Sequence, residues 1–344
     1  MLLIVFGAGA SYDSIPSLPP NQHSSQYRLP LADQLFDNRP LFKATAQEFS
    51  RCLPIVPFLH RRVGNASVES LLEEYAGESK TIPERIKQLA AVRYYLQSML
   101  FECQRHWEDE ALGQTNYIAL LDEALNYCNA KPIVIVTFNY DTLIERAIRV
   151  RVESFGDVPS YISGSVVKLF KLHGSINWLR QFKATPPVFD AIKTSGIRAP
   201  SAIIERIESL ELTEEYALVN KAAAYQMGPG NNFGLPALAI PLINKNSYEC
   251  PRAHVETLST LLPEVTKLLI VGWRGTEAHF TSTLARFVPS YAPALVVAEN
   301  DVAAQQTVGN LQRAGVQVQF YTQGQGFSDF VLGRHVRDWV RPKR

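Results

Sequence analysis

The sequence predicts an α/β fold: a doubly wound, mostly parallel, Rossmann-like sheet with a large helical insertion after its first strand. Three observations predict it. Leu2 to Phe6 is a short apolar run closed by Gly7-Ala8-Gly9, the pattern of a buried strand feeding a turn that needs bare backbone. KPIVIVTFNYDTLIERAI, from residue 131, reads as a second buried strand, a polar turn and a helix. The last hundred residues then alternate: helix near 254–263, strand KLLIVG, helix near 277–287, strand ALVVAEN, helix 302–314, strand VQVQFY and a short helix GFSDFVLG. Strands separated by helices pair in parallel, because each must return through a crossover.

The remaining segments fill in between these anchors. SIPSLPPNQHSSQYRLP is a Pro/Ser/Asn-rich loop, and a long ordered loop is usually functional. Helical periodicity follows at 31–50, 67–79, 84–107 and 115–129, as in IKQLAAVRYYL. VVKLFKLHGSINWL reads as a further strand ending in HGS, and residues 181–235 as a second, irregular insertion. The domain expectation is therefore an α/β domain of residues 1–30 and 131–344, with 31–130 as the helical insertion.

Composition narrows the function classes. With 46% hydrophobic and 19% charged residues the chain is ordinary globular protein, which excludes the disordered and membrane classes. Lys+Arg 34 against Asp+Glu 33, without clustering, gives no electrostatic footprint for nucleic acid. Cys52, Cys103, Cys128 and Cys250 are far apart, form no CxxC and follow no export signal. Reduced thiols in a cytoplasmic protein and no zinc site are expected.

In a doubly wound sheet, ligands sit beyond the carboxyl ends of the strands. Four segments put glycine or polar residues there: GAGAS at 7–11, TFNYD at 137–141, LHGS at 172–175 and VGWRGTE at 271–277. Gly7, Ala8, Gly9 and Ala10 could let phosphates reach backbone N–H groups, with Ser11 as an added donor. A tight turn needing small residues explains the same letters. The dinucleotide fingerprint of ordinary dehydrogenases is not met, because its third glycine falls at Tyr12 and no acidic strand end follows about twenty residues on.

Taken together, in this order and spacing, the four segments resemble the sirtuins: GAGAS is similar to their GAGxS, TFNYD to their TQNxD and KLHGS to their LHG with its catalytic histidine. The departures are informative. SIPSLPP stands where sirtuin deacylases have GIPDFR, and the two CxxC pairs of their zinc module are missing. What remains resembles the bacterial sirtuin-like branch of antiphage defence, which hydrolyses NAD to nicotinamide and ADP-ribose. PLINK at 241–245 and GWRGTEAHF at 272–280 are similar to its PxxxK and GxSxxxxDxxF segments, with Glu277 where Asp is usual.

The resemblance implies NAD as substrate and catalytic roles for Asn139, His173 and Asp141. A histidine suits proton relay near neutrality, and an amide can bond ribose hydroxyls or hold the attacking water. Asp141 would meet the nicotinamide carboxamide, as the family's NxD aspartate does, although Asp before TLIERA is also a helix cap. Thr137, Gly272 and Glu277 are candidates for the adenosine end, and Glu299 and Asn300 for the adenine ribose, with a helix cap at Asn300 as the competing reading. The other histidines have no metal-ligand spacing. Trp178 and Trp273 flank motif segments and are candidates for core packing or pocket walls.

Three activities fit these residues: an NAD hydrolase, an NAD-dependent deacylase or ADP-ribosyltransferase, and a non-catalytic NAD or ADP-ribose sensor. The first is the expectation. An unregulated NAD hydrolase drains its own cell, so a homo-oligomer is expected, with a separately encoded ATPase or nucleic-acid-sensing partner as its trigger, and no membrane association.

Overall fold

The structure, a computed structural model, describes residues 1–60, 68–78, 81–127, 132–219, 226–227, 232–240 and 248–340. Its strands are β1 Leu2–Phe6, β2 Ile133–Thr137, β3 Val167–Lys171, β4 Gly174–Lys183, β5 Glu211–Leu218, β6 Gln226–Met227, β7 Asn232–Leu238, β8 Lys267–Val271, β9 Ala294–Val297 and β10 Phe320–Gln323. They form one sheet in the order β10-β9-β8-β1-β2-β3 and another in the order β5-β4-β7-β6.

Every pairing in the first sheet is parallel, so all six carboxyl ends lie on one edge. Counted along the chain, the strands of this sheet run 3-2-1-4-5-6, the doubly wound order of dinucleotide-binding folds. The winding reverses between β1 and β8. Here β1 is flanked on both sides, with Ile4 opposite Ile135 and Leu269, and Leu3, Ile4, Val5 and Phe6 are 0% exposed. Burying such side chains is worth about 1.5–3 kcal/mol each, which is why an uninterrupted apolar run belongs at the sheet's centre.

The chain divides into two compact units. The first, Met1–Leu29, His106–Leu172 and Arg252–Arg344, contains the parallel sheet. Its long loop after β1 is held by Arg28, whose guanidinium donates to the carbonyls of Tyr12 (2.7 Å), Leu18 (2.9 Å) and His23 (3.0 Å) and lies 4.7 Å from the Trp107 ring centroid. Asp13 accepts from the amides of Phe327 (2.7 Å) and Ser328 (3.0 Å), pinning the start of helix Gly326–Leu332. Burial raises the Asp13 carboxyl, opposed by its bonds to Ser328 and Phe327 and by Arg28.

The second unit, Pro30–Arg105 and His173–Pro251, contains the antiparallel sheet. A buried ion cluster ties it together: Arg93 and Arg180 meet Glu249 at 3.0 and 3.3 Å, and Arg93 also donates to the carbonyls of Ile240 and Pro236. Residues 181–235, expected to be irregular, supply helices Pro186–Thr194 and Ala199–Arg206 and strands of this sheet.

Three local readings are corrected. VVKLFKLHGSINWL is two strands in two sheets, because Gly174 adopts φ +79 and a Cβ there would lie 1.9 Å from the Ala237 carbonyl oxygen. Only glycine turns the chain at that point. The segment 31–50 holds a 3-10 turn Ala32–Gln34 and a separate helix Pro40–Glu48, since Pro40 starts a helix rather than continuing one. The last strand also sits later than VQVQFY, at Phe320–Gln323.

A tight backbone contact in the first unit generates a stability prediction. Gly272 has φ +62, and a Cβ on it would lie 2.2 Å from the Ala10 amide nitrogen. Gly272→Ala is expected to cost at least about 2 kcal/mol, from left-handed strain plus overpacking. Gly156→Ala, with nothing within 4 Å, should stay within about 0.5 kcal/mol of the parent. Urea unfolding of the three proteins checks this, and equal midpoints would refute it.

Candidate functional site

The loops after β1, β2 and β8 converge at the carboxyl edge of the parallel sheet. Gly7 donates its amide to the Val271 carbonyl (3.1 Å), Gly9 to the Gly272 carbonyl (3.0 Å) and Ala10 to the Gly7 carbonyl (2.9 Å). A Cβ on Gly7 would lie 2.6 Å from the Gly272 oxygen, and one on Gly9 would lie 2.9 Å from the Gly272 Cα. The small residues of GAGAS are thus required by backbone packing, and three of its amides already face protein acceptors. Ala8, half-buried, opens the short helix Ala8–Tyr12, which places Ser11 inward at 2% exposure.

Ser11 meets the loop after β2. Thr137 ends that strand and its Oγ1 accepts the Asn139 amide at 3.1 Å, turning the chain so that the Asn139 side chain points into the protein. Asn139 Nδ2 lies 3.0 Å from the Gly7 carbonyl, 2.9 Å from Ser11 Oγ and 3.2 Å from Tyr117 Oη. The Gly7 carbonyl can only accept, which fixes which end of the carboxamide is nitrogen. Asn139 Oδ1 is buried and accepts from no group among the described residues. A buried polar atom without a partner costs stability and marks a place where a ligand or water belongs.

Asp141 uses both oxygens. Oδ1 accepts the Leu143 amide (3.1 Å), leading into helix Leu143–Arg151, and Oδ2 accepts the Ser11 hydroxyl (2.6 Å). Beneath it, Lys171 at the end of β3 is fully buried and donates to the Asp141 carbonyl and to Glu145 Oε1, the latter at 2.9 Å. Burial raises the Glu145 carboxyl and the lysine charge opposes that rise. Losing one partner of such a buried pair costs about 3–5 kcal/mol, so Lys171 and Glu145 hold the floor under Asp141.

The loop after β8 contributes an aromatic wall. Trp273 stacks on Phe138 with centroids 5.3 Å apart and meets Phe280 edge-on at 5.4 Å. Its indole donates to Glu277, the residue that leads helix Ala278–Phe287. Glu277 therefore orients Trp273. At the end of β9, Asn300 caps helix Asp301–Arg313 through the Ala303 amide (2.9 Å) and donates to Glu299 (3.1 Å), both on the surface.

The structure thus brings Gly7, Gly9, Ala10, Ser11, Asn139, Asp141 and Gly272 together, with Ala8 and Thr137 adjoining, while Glu299 and Asn300 bond each other at an exposed helix cap. His173 opens the second unit's segment His173–Pro251, two residues beyond Lys171, and is half-buried. Burial lowers its imidazole from 6.5 to about 4, so it is neutral at physiological pH and able to accept a proton. PLINK at 241–245 and Cys128 lie outside the described residues, whereas Cys52, Cys103 and Cys250 are buried free thiols. Among the described residues no three His, Cys, Asp or Glu side chains form a metal-binding group, and no helix is long and apolar enough to cross a membrane.

Tyr117, Lys171 and Glu145 were not singled out by the sequence. A lysine closing the apolar run VKLFK was the one available signal, since a charge in a buried strand needs a partner. Tyr117 gave none. It is the second residue of helix Asn116–Tyr127 and looks like any helical aromatic until the fold sets it 2.8 Å from Ser11 Oγ.

No protein-family profile and no curated protein sequence matches this chain. Among solved structures the similar chains include Sir2 proteins. One is described as Sir2Tm bound to a propionylated peptide, with 12% identity, 98% of this chain and 92% of that one covered, and a TM-score of 0.40. Another is a Sir2 homolog–NAD complex, with 14% identity, 98% and 90% covered, and a TM-score of 0.39. A third is Sir2 bound to acetylated peptide, with 11% identity, 98% and 92% covered, and a TM-score of 0.38. Likenesses this loose say nothing of chemistry. The fold class rests on the parallel sheet and its strand order.

Proposed function

We propose that this protein is an NAD glycohydrolase that releases nicotinamide and ADP-ribose, serving as an NAD-depleting effector in antiphage defence. The observation that carries the reading is the buried, unpartnered Asn139 Oδ1 at the carboxyl edge of a sheet wound in the dinucleotide-binding order. The order of the glycine, NxD and HG segments supports it. Regulation by self-assembly or by a separately encoded ATPase or nucleic-acid sensor belongs to the same reading.

In this mechanism the nicotinamide–ribose bond breaks with its electron pair going to the pyridinium nitrogen, leaving an oxocarbenium-like ribose. Water attacks that carbon and gives up a proton, as in other glycoside hydrolyses. His173, neutral because it is buried, accepts the proton. Asn139 Oδ1 accepts from a ribose hydroxyl or from the water. Asp141 has one bond at each oxygen and keeps lone pairs for the carboxamide of nicotinamide. The dinucleotide lies along Gly7–Ser11, Thr137 and Gly272, with Glu277, Glu299 and Asn300 toward its adenosine end. Since the amides of Gly7, Gly9 and Ala10 are engaged, a phosphate would meet that loop at Ala8.

Nicotinamide release from NAD, followed with and without an acetylated peptide, tests the reading. His173→Ala and Asn139→Ala should each lower turnover by about 10²–10⁴-fold with the fold retained. Either variant keeping more than a tenth of parental turnover removes that residue from the mechanism.

The pH profile follows from the direction of the His173 shift. The active form is neutral imidazole, which persists as pH falls until the lowered value near 4 is reached. The acid limb of kcat/KM for NAD is therefore expected near pH 4, over a range where circular dichroism shows the protein folded. A limb centred near 6.5, the ordinary histidine value, contradicts the assignment.

A further inference from the structure

We infer that Tyr117 is a positioning residue that, with Ser11 and Asp141, fixes the Asn139 carboxamide so that it meets a ligand only as a hydrogen-bond acceptor. This deepens the proposed function and rests on it for the identity of the ligand, though not for the hydrogen-bond geometry. Five groups are involved, and the two terminal acceptors set the direction of every proton between them.

At one end, the Gly7 carbonyl takes a hydrogen from Asn139 Nδ2 at 3.0 Å. At the other, Asp141 Oδ2 takes the Ser11 hydroxyl hydrogen at 2.6 Å. Ser11 has only that hydrogen, so its oxygen can only accept from its other neighbours. Tyr117 Oη, 2.8 Å away, must then donate to it. With its hydrogen spent on Ser11, Tyr117 Oη is an acceptor toward Asn139 Nδ2 at 3.2 Å. The second amide hydrogen of Asn139 is thus shared between Ser11 Oγ, at 2.9 Å, and Tyr117 Oη.

Both hydrogens of the carboxamide are consumed inside the protein. Only Oδ1 is left, buried and without a partner among the described residues. A ligand hydroxyl or a water can donate to it; a carbonyl, carboxylate or phosphate oxygen cannot. The residue therefore selects donor groups, which a ribose hydroxyl or an attacking water supplies and the carboxamide oxygen of nicotinamide does not.

Tyr117 is built to hold this arrangement rigidly. Its ring packs edge-on against Phe6 (centroids 4.9 Å) and Phe327 (5.5 Å), and burial raises its phenol well above the ordinary value, keeping the donor hydrogen in place.

Tyr117→Phe keeps these ring contacts and removes only the hydroxyl. Two readouts are taken. The first is hydrogen exchange of the Asn139 side-chain amide by NMR, its resonances assigned by their loss in Asn139→Ala. The second is kcat and KM for NAD. The expected result is amide exchange at least about tenfold faster, because one hydrogen loses an acceptor, with kcat down about ten- to a hundredfold and KM within about threefold. Unchanged exchange, or unchanged kcat alongside faster exchange, overturns the inference. If the parent protein does not cleave NAD, the proposed function falls and the exchange measurement alone decides the Tyr117 assignment. Should Tyr117→Phe fail to fold, Ser11→Ala breaks the same relay one group along, and the same acceleration is expected of it.

Discussion

Everything at the carboxyl edge depends on how closely the backbone after β1 approaches the backbone after β8. Gly7 and Gly9 lie against Gly272 at distances that leave no room for a Cβ on any of the three. This contact spans the point where the winding of the sheet reverses, the crevice that doubly wound folds use for ligands. It also anchors the short helix that brings Ser11 within reach of Asn139 and Asp141. A methyl group at Gly272 would push on Ala10, immediately before Ser11. The glycines therefore act on the site through position, whatever contact they make with a ligand.

From that contact the polar cluster follows by elementary valence counting. A carbonyl at one end and a carboxylate at the other leave the hydroxyls and the amide between them a single consistent proton arrangement. Below it, Lys171 and Glu145 form a buried pair whose lysine also grips the Asp141 carbonyl. Such networks hold their members in one geometry where their groups are satisfied. Asn139 Oδ1 is left open among the described residues, and an enzyme has reason to leave that kind of atom open for the group it handles.

Much of the parallel sheet was legible in the sequence because buried parallel strands are uninterrupted apolar runs, as in LLIVF, IVIVT and KLLIV. The polar residues that close those strands, Asn139 and Asp141 among them, could be placed at the carboxyl edge for the same reason. What could not be read were pairings across long sequence separations: Tyr117 with Ser11, 106 residues apart, and Asp13 with Ser328, 315 apart. The break between β3 and β4 was hidden as well. Apolar residues continue on both sides of it, and the positive φ of Gly174 belongs to the tertiary path rather than to the local pattern. At Asn300 the helix-cap reading of the sequence has its bond, to the Ala303 amide.

The central claim is that the open acceptor of Asn139 receives a donor from NAD or from the water that attacks it. A crystal structure of His173→Ala, chosen so that NAD survives uncleaved, tests it most directly. The account predicts NAD along the carboxyl edge between β1 and β8, with a ribose hydroxyl or a water within hydrogen-bond distance of Asn139 Oδ1. NAD bound elsewhere, or bound there with an acceptor oxygen facing Asn139, would contradict it.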